Sequence, residues 1–405
     1  MQSSPDTELQ ARLGADIAGL CRFERASASE GEREAAEWVA SRLREMGLEA
    51  ELEGFDFYPD YWNVWGSHAG LAATAGLAAL LSRRLAGPAA VASAFLTASF
   101  WGDLTCGFHW LRSRFPARRS CNVLARLPNP SAGRVLIISA HHDAAHSGLV
   151  FHPGLPRLMA RISGGGGQMP AILKLPFGAV LLVTAAAWLR SKGLADFLSR
   201  PALRLGVVLN GLTAALMADI GRSPVVAGAN DNASGVAAVL GLADDLCRQK
   251  PANLEVWFLS SGCEEGIMGG MLAFMDRHRE ELAGRRPFFL NFEELGFGEP
   301  EYRTGEGFVK FYPYHADAVG LAARAAREPE FQDVGSGLSR LGTDALIPTR
   351  SGLPAITIAC ASKDGRLPMY HWPTDTPENV DLRSVERALL FSRRMVQLLD
   401  EEAAG

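Results

Sequence analysis

The sequence predicts an α/β protein: a three-layer α/β/α fold with a mixed, mostly parallel central sheet, plus inserted apolar helical hairpins. Three observations predict it. Val135-Leu136-Ile137-Ile138 is an unbroken aliphatic run, the mark of a strand covered on both faces. From about residue 225 strand-like and helix-like segments alternate, as they do in α/β folds. Two pairs of uncharged apolar runs interrupt the pattern, one before and one after the central strand.

The chain has 405 residues, 48% hydrophobic and 21% charged, enough for one large domain or two ordinary ones. Its formal net charge of −5 excludes the broad basic field of a nucleic-acid binder. Six cysteines (Cys21, Cys106, Cys121, Cys247, Cys263 and Cys360) lack CxxC spacing and are expected as free thiols in a reducing compartment. Met1 to Gln10 carries no apolar signal-peptide core, so the expected location is the cytoplasmic side, membrane-associated if the apolar runs reach a bilayer.

In order, residues 8–21 and 30–47 carry helical periodicity, and Gly47 closes the second helix. Glu51 to Tyr58 alternates polar and apolar, as an edge strand does, and Cys121 to Leu127 reads as its neighbour. Asn129-Pro130-Ser131-Ala132-Gly133 is a turn into the central strand. Tyr61 to Ser82 and Leu85 to Gly102 are uncharged, separated by Arg83-Arg84. Leu175 to Leu189 and Leu205 to Ala218 form the second pair, joined by a segment carrying Arg190, Lys192, Arg200 and Arg204. A spanning helix needs roughly 20 apolar residues; the first pair meets this marginally and the second falls short. Such helices bury against each other, against a second copy, or in a membrane. Ser163-Gly164-Gly165-Gly166-Gly167 is a glycine-rich loop without the GK[ST] of a phosphate-binding loop.

After residue 225, Asn230 to Gly235 opens a helix running to about Lys250. Leu254 to Ser260 is a strand, a helix covers about Gly270 to Ala283, and Phe288 to Phe292 is a strand. Gly307 to Tyr312 and Leu353 to Ala359 read as further strands, and Arg383 to Asp400 as an amphipathic closing helix.

The chemistry collects where strands end. His141 and Asp143 follow the central strand two residues apart, so both leave it on the same side. In open α/β sheets, sites form at such carboxyl ends. Asp231, Glu264-Glu265, Glu293 and a late loop, Tyr370 to Asp375, add further groups. Each has a bland explanation alone: Asp231 as a helix cap, Glu264-Glu265 as a solvated turn, Glu293-Glu294 as a charged helix start. Together, carboxylates crowd at one sheet edge only if cations or protons compensate them. Two imidazoles and three carboxylates, with one carboxylate to spare, suit a two-zinc hydrolytic site.

The order HxD, Asp-Asn-Ala-Ser-Gly, Glu-Glu-x-Gly, Asn-x-acid and His-x-x-x-Asp resembles the M28 family of zinc peptidases. The resemblance implies two Zn2+ or other divalent ions. Asp231 would bridge them, Glu265 and His371 would complete one site, and His141 and Glu293 the other. It gives the catalytic roles to Glu264, as general base, and to Asp143, which orients His141. The implied activity is that of a di-zinc exopeptidase acting on peptides, an aminopeptidase releasing N-terminal residues with a metal-bridging water. A single-zinc glutaminyl cyclase and an inactive membrane-tethered binding protein are the alternatives. Two departures stand out. Glu293 occupies a position that is usually Asp, and Gly342-Thr343-Asp344-Ala345 resembles a Ser-Asp-His segment that has lost its His, so no role is expected of Asp344. The implied peptidase domain is discontinuous, 1–65, 119–155 and 224–405. The hairpins, 66–118 and 156–223, form an inserted subdomain for a membrane or a homodimer interface.

Overall fold

The computed structural model describes residues 6–154, 174–362 and 369–404. The glycine-rich run Ser163 to Gly167 and the first part of the second insertion lie outside them.

Eight strands form one sheet: β1 (Glu49–Phe57), β2 (Arg118–Leu127), β3 (Arg134–His141), β4 (Leu254–Ser261), β5 (Phe288–Glu293), β6 (Glu299–Arg303), β7 (Gly335–Gly337) and β8 (Ala355–Ala361). Their spatial order is β1-β2-β4-β3-β5-β8-β6-β7. The four central strands β4, β3, β5 and β8 run parallel, whereas β1, β2 and β6 join through antiparallel ladders. Every residue of β3 is buried, as its aliphatic run requires. The expected mixed, mostly parallel sheet is therefore present.

Helices cover both faces: α1 (Thr7–Leu20) and α2 (Glu30–Glu45) precede the sheet, and α7 (Ser234–Arg248), α8 (Gly269–Arg277), α9 (Ala316–Ala325) and α10 (Leu382–Ala403) follow later strands. α2 starts because the Ser29 hydroxyl accepts the Glu32 amide at 3.1 Å, and it stops before Gly47, whose φ of +85° suits glycine.

The inserted helices are α3 (Tyr61–Leu81), α4 (Arg83–Leu104), α5 (Lys174–Ser191) and α6 (Asp196–Ile220). α3 packs on α4 and α6, and α5 packs on the same two, so both hairpins merge into one bundle. Its distal core is small: Ala79, Ala86, Ala90, Val183, Ala187 and Leu203. A Cβ on Gly206 would lie 2.6 Å from Val183, so that glycine sets how closely α5 and α6 approach.

Three expectations are corrected. Gly307 to Tyr312 is no strand; Gly305–Glu306 pairs with Tyr312–Pro313 in a small ribbon, and 307–311 is its turn. Gly307, at φ +135°, takes a backbone conformation open to glycine that ends the strand. The helix from 270 to 283 is broken at His278 into Gly269–Arg277 and Arg279–Leu282. The second apolar pair is not uniformly short. α6 has 25 residues because Arg200 and Arg204 sit on its exposed side rather than in a loop. α3, α4 and α6 are long and apolar enough to cross a membrane; α5 is not among them.

Candidate active site

The strand order reverses around β3: β4 pairs on one side and β5 on the other. A crevice opens at the carboxyl ends of strands at such a point. The six residues singled out for metal binding and base catalysis, His141, Asp231, Glu264, Glu265, Glu293 and His371, converge there. His141 ends β3, Glu264 and Glu265 follow β4, Glu293 ends β5, and His371 follows β8 in the chain. Asp231 comes from the turn into α7.

Asp231 lies at the centre. Its Oδ1 is 3.1 Å from His141 Nε2, and its Oδ2 is 3.2 Å from His371 Nε2. Glu293 Oε1 is 3.2 Å from the same His141 nitrogen, and Glu265 Oε2 is 3.2 Å from that of His371. The result is two triads sharing one carboxylate, His141/Asp231/Glu293 and Asp231/Glu265/His371, each able to hold a metal ion. Glu265 Oε1 and Glu293 Oε2 are buried with no protein partner, so each triad keeps acceptor capacity in reserve. Glu264 lines the same crevice, about 60 Å³ in volume, together with Glu294, Arg303, Leu341, Thr343 and Tyr370.

The electrostatics show which groups favour positive charge. Burial pushes the Glu264 carboxyl well above its ordinary value and Glu293 to about 7. Burial works against charge on His371, yet Glu265 and Asp231 raise it to about 10. His141 is also raised, burial again opposing and Glu293 leading the charges that win. Burial would raise Asp231, but its contacts with both imidazoles hold it below the usual carboxylate range. So the carboxylates draw positive charge onto both imidazole positions, which is what divalent ions would supply. The donor set of carboxylate oxygens and imidazole nitrogens fits zinc.

Asp143 stands behind the cluster. Its carboxylate lies 3.3 Å from His141 Nδ1 and accepts the Glu264 and Glu265 amides at 3.0 and 3.1 Å and the Ser27 hydroxyl at 2.6 Å. One buried group thus aims His141 and fixes the Glu264-Glu265 turn. Asp375 does the same for Asp231, accepting the amides of Asn230 and Asp231 at 2.6 and 3.1 Å. Asp344, for which no role was expected, is buried and accepts the Ser261 hydroxyl at the end of β4. Arg303 was not anticipated at the crevice, and Thr343 and Tyr370 were named in the sequence only as parts of motifs, with no role. Tyr370 stacks on His371 at 3.8 Å between ring centroids, a contact its adjacency in sequence could have suggested.

A mixed α/β/α sheet with a carboxylate–imidazole cluster at its carboxyl edge defines a metallopeptidase-type hydrolase. Residues 214–396, somewhat under half of the chain, match the model of peptidase family M28. The stretch contains Asp231, Glu264, Glu265, Glu293 and His371; His141 and Asp143 lie ahead of it. No curated protein matches the chain. Among solved structures, a leucine aminopeptidase precursor from Bacteroides thetaiotaomicron is similar, with a TM-score of 0.56 and 11% identity over 98% of this chain and 99% of that one. An aminopeptidase from an Aneurinibacillus strain gives a TM-score of 0.55 at 13% identity, over 96% and 93%. Glutaminyl cyclase from Bacteroides thetaiotaomicron gives 0.56 at 12%, over 96% and 97%. At such identities these likenesses establish the fold.

Proposed function

We propose that this chain is a di-zinc aminopeptidase. The observation that carries the reading is Asp231, whose two oxygens face two different imidazoles, each with its own second carboxylate. His141, Asp231 and Glu293 would hold one ion, and Asp231, Glu265 and His371 the other. Bound there, the ions supply Lewis-acid chemistry toward a peptide carbonyl and make water a stronger acid. Glu264 takes the proton of the attacking water and returns it to the leaving amine. Its raised pKa suits both halves of that task. Asp143 keeps the base and His141 in register. Glu294, outside both triads yet lining the crevice, offers a side-chain oxygen that a free α-amine could bond, which would favour cleavage at the N-terminus.

We further propose that the insertions form a subdomain of their own that meets a membrane, supported by the length and apolar character of α3, α4 and α6; burial against a second copy is the rival. The free thiols suit a reducing compartment and hence the cytoplasmic side.

Metal analysis of protein purified without chelator, run beside an aminoacyl-anilide panel, tests the enzymatic reading. Two ions per chain and turnover of substrates with a free amine, not of Nα-acetylated ones, are expected. One ion with cyclisation of N-terminal glutamine would favour the cyclase alternative. Protein free of metal would sink the assignment.

A further inference from the structure

The bundle is inverted in polarity. Leu81 and Phe197 are 78% exposed, Val91 73% and Val208 65%, with Leu71, Phe95, Leu205 and Leu212 half-exposed around them. Its interior, in contrast, buries His68, Ser93, Ser99, Ser199 and Asn210. His68 bonds the Val64 carbonyl at 2.8 Å and the Ser99 hydroxyl at 3.0 Å, and Thr97 bonds Thr184 across helices at 2.9 Å. Apolar outside, polar and small inside is how helices pack in lipid, where burial of apolar surface between helices brings little gain. A water-soluble bundle reverses this.

Dimensions and edges agree. A helix of the length of α3 is about 31 Å long, close to the hydrocarbon thickness of a bilayer. Trp101, Phe108 and Trp110 gather where the bundle joins the sheet, and Trp188 and Phe197 at the distal end. Aromatic residues at two levels fit two membrane–water interfaces better than a protein partner. Arg83, Arg84 and Lys192 stand at the distal end, and Arg200 and Arg204 are exposed in the first turns of α6, basic groups that suit anionic headgroups.

The roots of the bundle settle which way the sheet faces. β1 runs antiparallel to β2, and β2 antiparallel to β4, so Phe57 ends β1 at the edge where β4 ends in Ser261. The first insertion leaves β1 and re-enters β2 there, and the second leaves after β3 and returns just before Asp231. All four roots therefore stand on the carboxyl edge that holds the cluster. Side chains join the two. Arg112, just past α4, donates to the Gly266 carbonyl at 3.0 Å, immediately after Glu264-Glu265. The Leu149 amide donates to Asp219 in α6 at 2.7 Å, and two residues on Phe151 packs on His371 at 4.5 Å.

We propose that the bundle seats in a bilayer with the active-site edge turned toward the headgroups, so that the substrates are peptides whose N-termini are held at that surface. This rests on the aminopeptidase reading. A site so placed meets short-tethered N-termini that a site facing bulk water could not reach.

The test uses the full-length, zinc-loaded protein in phosphatidylcholine/phosphatidylglycerol vesicles. Three peptides share one N-terminal reporter: one free, one lipid-anchored through a spacer of about 5 residues, one through about 40. The protein is expected to float with the vesicles. The short-tethered peptide should be cut at least as fast as the long one, and about 10-fold or more faster than the free one. Cleavage of the long-tethered peptide alone among the anchored pair puts the site on the far side and overturns the proposal. Equal rates on free and anchored peptides also overturn it, and protein left in the supernatant removes the bilayer. No cleavage of any peptide, with the protein afloat, instead removes the aminopeptidase reading beneath it.

Discussion

At the scale of single residues, the crevice separates tasks that lie side by side in the chain. Glu264 and Glu265 share one turn, yet Glu265 joins His371 and Asp231 while Glu264 lines the crevice on the side of His141. Glu264→Gln is expected to keep the metal and lower kcat by about 10²–10⁴-fold. Asp231→Ala should lose metal from both positions; metal content and turnover, measured together, separate the two failures. If Glu264→Gln kept near-full turnover, the base would lie elsewhere. A second group responds to pH through stability. Burial, then the nearby Asp143 charge, pushes the Glu32 carboxyl up to about 8. The folded chain therefore holds a proton there that the unfolded chain releases near its ordinary value. Stability falls as pH rises through that window. Glu32→Gln, which keeps an acceptor for the Cys263 amide, should gain Tm over the parent at about pH 8 and little at about pH 5. An equal gain at both would assign the effect to packing. That His141, Asp231, Glu264, Glu265, Glu293 and His371 would meet was legible in the sequence because most follow a strand-like run and the motifs keep their order. Among the supports, Asp143 was legible from HxD, and Asp375 stood in His-x-x-x-Asp without a role. What Asp375 and Asp344 do, through backbone amides and a buried serine, no spacing announces.

At the scale of elements, what could be read depended on periodicity. Helices with a plain apolar stripe and strands with aliphatic runs were placed to within a few residues. β6 and β7 are short, polar or glycine-rich and stand at the sheet's edge, so they carried no run to detect. α6 was under-read because charges on an exposed side resemble a loop in one dimension. The junction between bundle and sheet also lay beyond pattern. Arg112 is fully buried and meets Asp103 of α4 through two bonds, at 2.6 and 2.9 Å, while donating to the Tyr58 and Gly266 carbonyls. Asp103→Ala leaves that guanidinium buried without a counter-charge. A loss of about 3–5 kcal/mol is expected. Thermal unfolding in detergent checks it, and the double change Asp103→Leu with Arg112→Met should recover much of the loss. If Asp103→Ala unfolded like the parent, the pair would not be what fastens α4 to the Glu264 turn.

At the scale of the whole molecule, one sheet carries both the chemistry and the bundle, and the hydrophobic core runs without a break from β3 into the roots at Val64, Trp65, Phe100 and Met217. The body and the bundle should therefore behave as one piece. Extraction is expected to need detergent, and the detergent-bound particle should contain the intact peptidase domain. A monodisperse dimer in buffer alone would reassign the outer face of the bundle to a second copy. The strand order has a consequence for how the molecule comes into being. β4 fills the gap between β2 and β3, but it starts at Leu254, after every residue of both hairpins has been made. A nascent chain thus completes its four bundle helices while β2 and β3 still lack the strand that joins them. If the bundle seats in a bilayer as proposed, it can do so first, and the carboxyl edge of the sheet is assembled afterwards at that surface.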